Sequence, residues 1–231
     1  SIKTLSIKTD LIREKASELK VIYTPLHGSG NIPVRTILKE QGYSQVHVVP
    51  EQEEPDGTFP TAPYPNPESP EVFKLALDMN RDIGADLIFG TDPDCDRLGV
   101  IVMEQDGTTQ VLSGNQTGML ITNYMLKALK EEGRLPENGV VIKTIVTTES
   151  VQNIAARYDV EVMDVLTGFK YIGGKLRKYE NAIPAELREN YRQLSDVETR
   201  DLRFAHSRFF VFGGASGSGS GSGSGSASIS S

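Results

Sequence analysis

Cysteine, histidine and tryptophan are scarce in this sequence: of 231 residues, one is cysteine (Cys95), three are histidine and none is tryptophan. A single cysteine excludes an internal disulfide and fits a reducing compartment, so we expect a cytoplasmic location. The histidines are far apart and have none of the spacings of a zinc site. No apolar run is long enough to span a membrane and no signal peptide is recognisable, so we expect no membrane partner.

Basic clusters are missing as well. The net charge is −7, and no stretch of the sequence is rich in Lys and Arg. Because nucleic-acid-binding surfaces are strongly basic, this charge balance argues against a nucleic-acid partner. The chain is otherwise ordinary for a soluble protein, with 38% hydrophobic and 24% charged residues, and its length allows one or two domains.

The most informative segment is LIFGTDPDCDR, residues 87–97, in which Asp92, Asp94 and Asp96 follow an apolar run. Side chains two positions apart in an extended segment point to the same side, and Pro93 disfavours a helix here. Three like charges on one side repel each other, so a cation is needed to neutralise them. An all-oxygen ligand set suits Mg²⁺, whereas the Cys95 thiolate is a poor partner for it. The segment therefore predicts a Mg²⁺ site.

Three other interpretations of this loop compete with metal binding. A charged loop after a strand is often only solvated. An EF-hand loop needs Gly at its sixth position and Glu at its twelfth, but counting from Asp92 these positions hold Arg97 and Met103, which excludes it. An aspartyl phosphatase with Asp92 as nucleophile prefers Thr where this chain has Asp96. Residue chemistry favours divalent-metal binding and leaves the solvated loop and the phosphatase as alternatives.

The stretch GTDPDCDRLGV resembles the magnesium loop of the α-D-phosphohexomutases, the phosphoglucomutase and phosphomannomutase superfamily. Two further stretches are similar to that family in the same order. They are TPLHGSG at residues 24–30 and LTGFKYIG at residues 166–173. The resemblance covers roughly residues 10–180 and looks closer to the phosphoglucomutase branch than to the phosphomannomutase branch.

The resemblance implies roles for individual residues. The family's Mg²⁺ ligands match Asp92, Asp94 and Asp96, and its adjacent catalytic arginine, which holds the phosphoryl group, matches Arg97. Arg97 also has a simpler role available, which is to pair with the aspartates. The family's substrate loop, which approaches the sugar phosphate, matches Thr167, Gly168 and Lys170. For Lys170 the alternative is a solvated lysine at the start of a helix.

Several sites of the family have no counterpart in this sequence, namely the phosphoserine loop of domain 1 and the sugar- and phosphate-binding loops of domains 3 and 4. The resemblance therefore implies a fragment of an isomerase that interconverts hexose 1-phosphate and hexose 6-phosphate through a phosphoserine and a bisphosphosugar. Domains 1 and 4 would be needed for activity, so we expect this chain alone to be inactive. The alternatives are a non-catalytic metal-binding or scaffold module, or a fragment of a phosphomannomutase or phosphopentomutase.

Periodicity and turn signals predict an α/β fold, with a three-layer mixed-sheet phosphohexomutase domain followed by a truncated second α/β domain. The predicted strands cover residues 20–24, 45–49, 86–90, 98–103, 109–112, 139–145 and 160–165. The predicted helices cover residues 10–19, 33–41, 70–84, 115–131 and 149–157, with another opening at residue 167. Seven of the twelve prolines lie in residues 50–70, which we expect to be irregular.

These elements divide the chain into five parts. The predicted parts are an N-terminal leader helix (1–19), domain 2 with the metal loop (20–112), a partial domain 3 (113–180), a segment that diverges from the family (181–212), and a disordered Gly/Ser-rich tail or linker (213–231). Within the divergent segment, Phe209–Phe212 are apolar residues for which the sequence indicates no core.

Overall fold

The computed structural model describes residues 6–104, 106–136, 139–182 and 209–212. The fold is α/β with a mixed sheet, as predicted, and it has two units, each with its own sheet. In the first unit the strands are β1 (Lys20–Thr24), β2 (Gln45–Val48), β3 (Leu87–Thr91), β4 (Leu98–Met103) and β5 (Thr109–Leu112). Its helices are α1 (Thr9–Lys15), α2 (Asn31–Glu40), α3 (Pro50–Glu53) and α4 (Lys74–Ile83).

The strands of the first unit lie in the order β2-β1-β3-β4-β5. β1 pairs in parallel with β2 and with β3, whereas β4 is antiparallel to both of its neighbours, β3 and β5. Because β1 and β3 are parallel, their carboxyl ends meet at one edge of the sheet, where Thr24 lies opposite Gly90. Open α/β sheets bind ligands outside this edge. The loops that follow β1 and β3 are therefore the first place to look for a functional site.

Helix α4 and the turn before it cover one face of this sheet. Phe73 and Ala76 are fully buried and share a core with Ile22, Ile88 and Ile101, which come from β1, β3 and β4. Burial of one large apolar side chain contributes about 1.5–3 kcal/mol. This core therefore holds β1 and β3 firmly beneath the loops that follow them.

The second unit contains a parallel sheet with the strand order β7-β6-β8. The strands are β6 (Val140–Thr144), β7 (Glu161–Val165) and β8 (Phe209–Phe212), and the helices are α5 (Gly114–Glu131), α6 (Ser150–Ala156) and α7 (Phe169–Ala182). Ser113 begins α5 with a capping box, in which its hydroxyl accepts from the Gln116 amide and the Gln116 side chain accepts from the Ser113 amide. None of the described helices is both long and apolar enough to cross a membrane.

Several local predictions need correction. Residues 50–70 are not wholly irregular, because α3 lies within them, and Pro70–Phe73 forms a 3-10 turn before α4. Helix α1 ends at Lys15 instead of residue 19. Phe209–Phe212, for which the sequence indicates no core, form strand β8 and pair with β6. Because β6 and β8 are far apart in the sequence, no local pattern in either segment predicts that they pair. The predictions for residues 183–208 and 213–231 lie outside the described residues.

A short segment before α1, Ser6–Lys8, is anchored on α5 of the second unit. Ile7 is only 7% exposed and belongs to the apolar core beneath that helix. The Tyr124 hydroxyl donates to the Ile7 carbonyl (3.2 Å), and the Lys8 ammonium lies 2.7 Å from the Glu131 carboxylate. Ion pairs this exposed contribute little. The buried Ile7 side chain is therefore the main attachment of this segment to α5.

Replacing Ile7 with alanine tests this attachment. We expect Ile7→Ala to lower the free energy of unfolding by about 2 kcal/mol, because it removes buried methylene groups and leaves a cavity. Urea unfolding followed by circular dichroism measures the change. The matched control is Leu11→Ala in α1, whose side chain is 53% exposed and whose loss we expect to cost less than about 0.5 kcal/mol. Equal effects of the two substitutions would contradict the attachment.

Candidate metal centre and substrate loop

The predicted metal loop begins directly after β3 and has the backbone of a tight turn. The Cys95 amide donates to the Asp92 carbonyl at 3.0 Å, and Cys95 has a φ of 62°, in the left-handed region. Pro93 occupies the second position of this turn, where its fixed φ is favourable. The segment is therefore not extended with alternating side chains, contrary to the prediction from the sequence. The turn brings the carboxylates together instead.

The three predicted metal ligands do converge. Carboxylate oxygens of Asp92, Asp94 and Asp96 all lie within 4.8 Å of one another. Asp92 is 6% exposed, while Asp94 and Asp96 are exposed. The Oδ1 atom of Asp92 accepts hydrogen bonds from the amides of Asp96 (3.0 Å) and Arg97 (2.9 Å). Asp92 is therefore a fixed anchor, and the other two carboxylates are the adjustable members of the cluster.

Arg97 faces the same cluster. Its Nε atom lies 3.6 Å from Oδ2 of Asp92 and 3.8 Å from Oδ1 of Asp96. The guanidinium thereby offsets part of the repulsion between the carboxylates. Because a guanidinium has five N–H donors, these contacts through Nε leave donors for an anionic group beside the cluster. The structure thus allows both roles that were considered for Arg97.

The segment Gly28-Ser29-Gly30 supports the loop from below. The Ser29 amide and hydroxyl both donate to the Pro93 carbonyl, at 2.8 and 3.0 Å. A Cβ atom on Gly28 would lie 2.4 Å from the Pro93 Cα atom. This glycine is therefore required because another backbone passes where a side chain would be. The segment serves as a support for the metal loop, a contact that the sequence does not indicate.

The three predicted substrate residues lie on an exposed loop of the second unit. Thr167 and Gly168 connect β7 to α7, and Gly168 has a φ of 121°, which favours glycine. Lys170 lies in the first turn of α7, and its Nζ atom is 4.9 Å from the centre of the Tyr171 ring. Within the described ranges, no hydrogen bond or ion pair joins this loop to the metal loop. The structure places the two loops at the carboxyl ends of strands in separate sheets.

Lys143 is a residue of this region that sequence reasoning missed. It is fully buried in β6, and its Nζ atom lies 2.5 Å from Asp164 and 3.2 Å from Glu149 while donating to the Thr147 carbonyl. Burial lowers the pKa of Lys143, but the hydrogen bonds to Asp164 and Glu149 outweigh it and raise the pKa overall. The charged lysine therefore ties the loop after β6 to strand β7. A single lysine within the apolar strand VVIKT was the available signal.

A cavity of about 370 Å³ is lined by residues of both units. It is lined by Leu98 and Gly99 at the start of β4, by the first residues of α5, and by Val146 of the second unit. The Asn115 side chain accepts a hydrogen bond from the Thr148 amide (3.0 Å), which links the loop after β6 to the start of α5. None of the predicted site residues lines this cavity, so it is separate from the carboxylate cluster.

Replacing Gly28 with alanine tests the support of the metal loop. We expect Gly28→Ala to lower the free energy of unfolding by about 1–3 kcal/mol, because the new Cβ atom overlaps the Pro93 backbone. The amide NMR signals of residues 94–97 should shift at the same time. The matched control is Gly118→Ala in α5, where no atom lies within 4 Å and where alanine should add about 0.5–1 kcal/mol of stability. Unshifted signals in Gly28→Ala would contradict the support.

Two models of one protein family match this chain. The family model described as phosphoglucomutase/phosphomannomutase, alpha/beta/alpha domain II, matches residues 1–107. The model for alpha/beta/alpha domain III of the same family matches residues 113–187. The metal loop falls in the first match and the predicted substrate loop in the second.

Individual relatives give the same result. A phosphoglucomutase of Staphylococcus haemolyticus is 36% identical over 187 residues, which is 80% of this chain and 33% of the relative. A probable phosphomannomutase of Haemophilus influenzae is also 36% identical, over 176 residues, covering 75% of this chain and 35% of the relative. The chain thus spans about a third of the length of these relatives.

A solved structure has the same fold. It is a phosphoglucomutase/phosphomannomutase family protein from Burkholderia thailandensis, with a TM-score of 0.55 at 22% identity. The match covers 74% of this chain and 35% of the Burkholderia chain. At this identity the similarity concerns the fold alone.

Proposed function

We propose that this chain, which belongs to the phosphoglucomutase/phosphomannomutase family, supplies the metal centre of an enzyme that moves a phosphoryl group between the 1 and 6 positions of a hexose. The observation that carries the proposal is the convergence of three aspartate carboxylates within 4.8 Å. They lie at the carboxyl end of β3, the edge where α/β sheets bind ligands.

The donor set supports Mg²⁺ as the ion. All three groups are carboxylates, which suit Mg²⁺ better than nitrogen or sulfur ligands do. Ligands about 2.1 Å from an octahedral ion lie about 3–4 Å apart, and the three oxygens are already within 4.8 Å. Asp92 contributes its Oδ2 atom, since Oδ1 is occupied by two amides. The exposed side chains of Asp94 and Asp96 have the freedom to complete the set.

Phosphoryl transfer depends on positioning and on charge neutralisation. Mg²⁺ bound here would polarise a phosphoryl oxygen and offset its charge. Arg97 holds the same phosphoryl group through the N–H donors that its contacts with the aspartates leave available. Asp92 itself is a poor nucleophile, because it is 6% exposed and faces Arg97. This weighs against an independent aspartyl phosphatase.

The exposed loop after β7 would bind the sugar phosphate. Thr167 offers a hydroxyl, Gly168 permits close approach of a ligand to the backbone, and Lys170 offers a cation. Lys143 contacts Asp164 in β7, the strand that leads into this loop. The phosphorylated serine and the remaining sugar-binding groups would come from parts of the enzyme with no counterpart in this sequence. We therefore propose that this chain has no mutase activity alone.

Mutation of one aspartate tests the metal centre on this chain directly. We expect Asp94→Asn to weaken Mg²⁺ binding by more than about tenfold, since even outer-shell changes cost about 10- to 100-fold. Isothermal titration calorimetry with MgCl₂ measures the affinity. The control is Asp78→Asn in α4, an aspartate paired only with a neighbouring arginine among the contacts described, which should bind as the unaltered chain does. Equal Mg²⁺ affinity of the unaltered chain, Asp94→Asn and Asp78→Asn would contradict a metal centre at this cluster.

The mutase function requires a second experiment. Domains 1 and 4 of the Staphylococcus haemolyticus phosphoglucomutase would be added as separate chains, with Mg²⁺ and a bisphosphate primer. Conversion of glucose 1-phosphate and of mannose 1-phosphate to the 6-phosphates would then be measured. We expect activity with glucose 1-phosphate that Asp94→Asn abolishes. A stable complex without activity would instead favour the non-catalytic binding module.

A further inference from the structure

Two hydroxyl groups meet in the interior directly beneath the metal loop. The Tyr23 hydroxyl lies 2.9 Å from Oγ1 of Thr91, with 0% of Tyr23 and 6% of Thr91 exposed. Thr91 immediately precedes Asp92, the anchor of the carboxylate cluster. A contact that fixes the Thr91 side chain therefore also fixes the first backbone atoms of the metal loop.

The strand register creates this contact. Tyr23 pairs with Phe89 across the parallel strands β1 and β3, and their rings are 5.1 Å apart. Thr91 lies two residues beyond Phe89 and so on the same face of the sheet. The Tyr23 ring reaches along that face toward the carboxyl end of β3, which places its hydroxyl against Thr91.

Gly30 closes the space around the hydroxyl pair. A Cβ atom on Gly30 would lie 2.6 Å from both hydroxyl oxygens and 2.9 Å from Sγ of Cys95. The pair is thus enclosed by β1, β3, the start of α2 and the metal loop itself. In this enclosure each hydroxyl has the other as its partner, so removing one leaves the other buried without its hydrogen bond.

The phenol remains neutral in this position. Burial raises the pKa of Tyr23 to about 12, although the hydrogen bond with Thr91 acts in the opposite direction. A neutral phenol carries no charge that would offset the charges of the carboxylates. Its influence on the metal loop is therefore geometric.

We propose that Tyr23 is a positioning residue of the metal centre. Its hydroxyl holds Thr91, and through Thr91 the backbone of Asp92, in the arrangement that lets the three carboxylates share one divalent cation. This inference rests on the proposed metal centre. Groups that orient metal ligands from behind usually change metal affinity about 10- to 100-fold when they are lost.

The test compares hydroxyl deletions in the intact chain. Tyr23→Phe and Thr91→Val should each weaken Mg²⁺ binding by about tenfold in calorimetry with MgCl₂, and Thr91→Ser, which keeps a hydroxyl, should restore most of the affinity. The double variant should bind about as weakly as either single variant, because both remove the same contact. The control is Tyr158→Phe, whose hydroxyl donates to Asn123 in the second unit at 3.0 Å and should not affect binding.

Each outcome decides between the alternatives. No Mg²⁺ binding by the unaltered chain overturns the metal centre and this inference together. If the unaltered chain binds Mg²⁺ and folded Tyr23→Phe binds it with the same affinity, only the role of Tyr23 is overturned. The same holds if the losses of affinity in Tyr23→Phe and Thr91→Val add fully in the double variant. If Tyr23→Phe does not fold, the Thr91→Val and Thr91→Ser pair makes the same comparison, and equal affinity of those two overturns the inference.

Discussion

The constraint on which this site depends is the repulsion between three carboxylates held within 4.8 Å of one another. Two unit charges at that separation repel by roughly 1 kcal/mol in water and by roughly 3 kcal/mol at the lower dielectric constant of a protein surface. Hydrogen bonds to a charged group contribute about 1.5–3 kcal/mol each, and Asp92 accepts two of them from the amides of Asp96 and Arg97. Three carboxylates form three such pairs, so these bonds and the nearby Arg97 guanidinium offset part of the repulsion, and a bound cation would offset the rest.

The rest of the first unit keeps that arrangement in place. The buried core around Ile22 and Ile88 fixes β1 and β3 relative to each other, so the loops that follow them meet at one edge. Ser29 holds Pro93 from one side, and the Tyr23–Thr91 contact holds the start of the loop from beneath. In the second unit, Lys143 links the loop after β6 to strand β7 through Glu149 and Asp164. Among these contacts, the Tyr23–Thr91 pair and the Lys143 side chain are buried.

How much the sequence predicts depends on how local the cause is. The hairpin of β4 and β5, the end of α4 at Gly84 and the grouping of the three aspartates all have local signals, and the structure contains them. The reason given for the grouping was wrong, because a turn closed by Cys95 replaces the assumed extended segment. Contacts between distant segments, such as β8 with β6 or Tyr23 with Thr91, depend on strand register, which no short stretch of sequence specifies.

Crystals of this chain soaked in MnCl₂ would test the central claim most directly, because carboxylate sites for Mg²⁺ also accept Mn²⁺. Anomalous diffraction at the manganese absorption edge locates the ion without assuming its ligands. We predict one anomalous peak in contact with carboxylate oxygens of Asp92, Asp94 and Asp96. A well-diffracting soaked crystal with no peak at this cluster, or with peaks only at other acidic residues, would contradict the account.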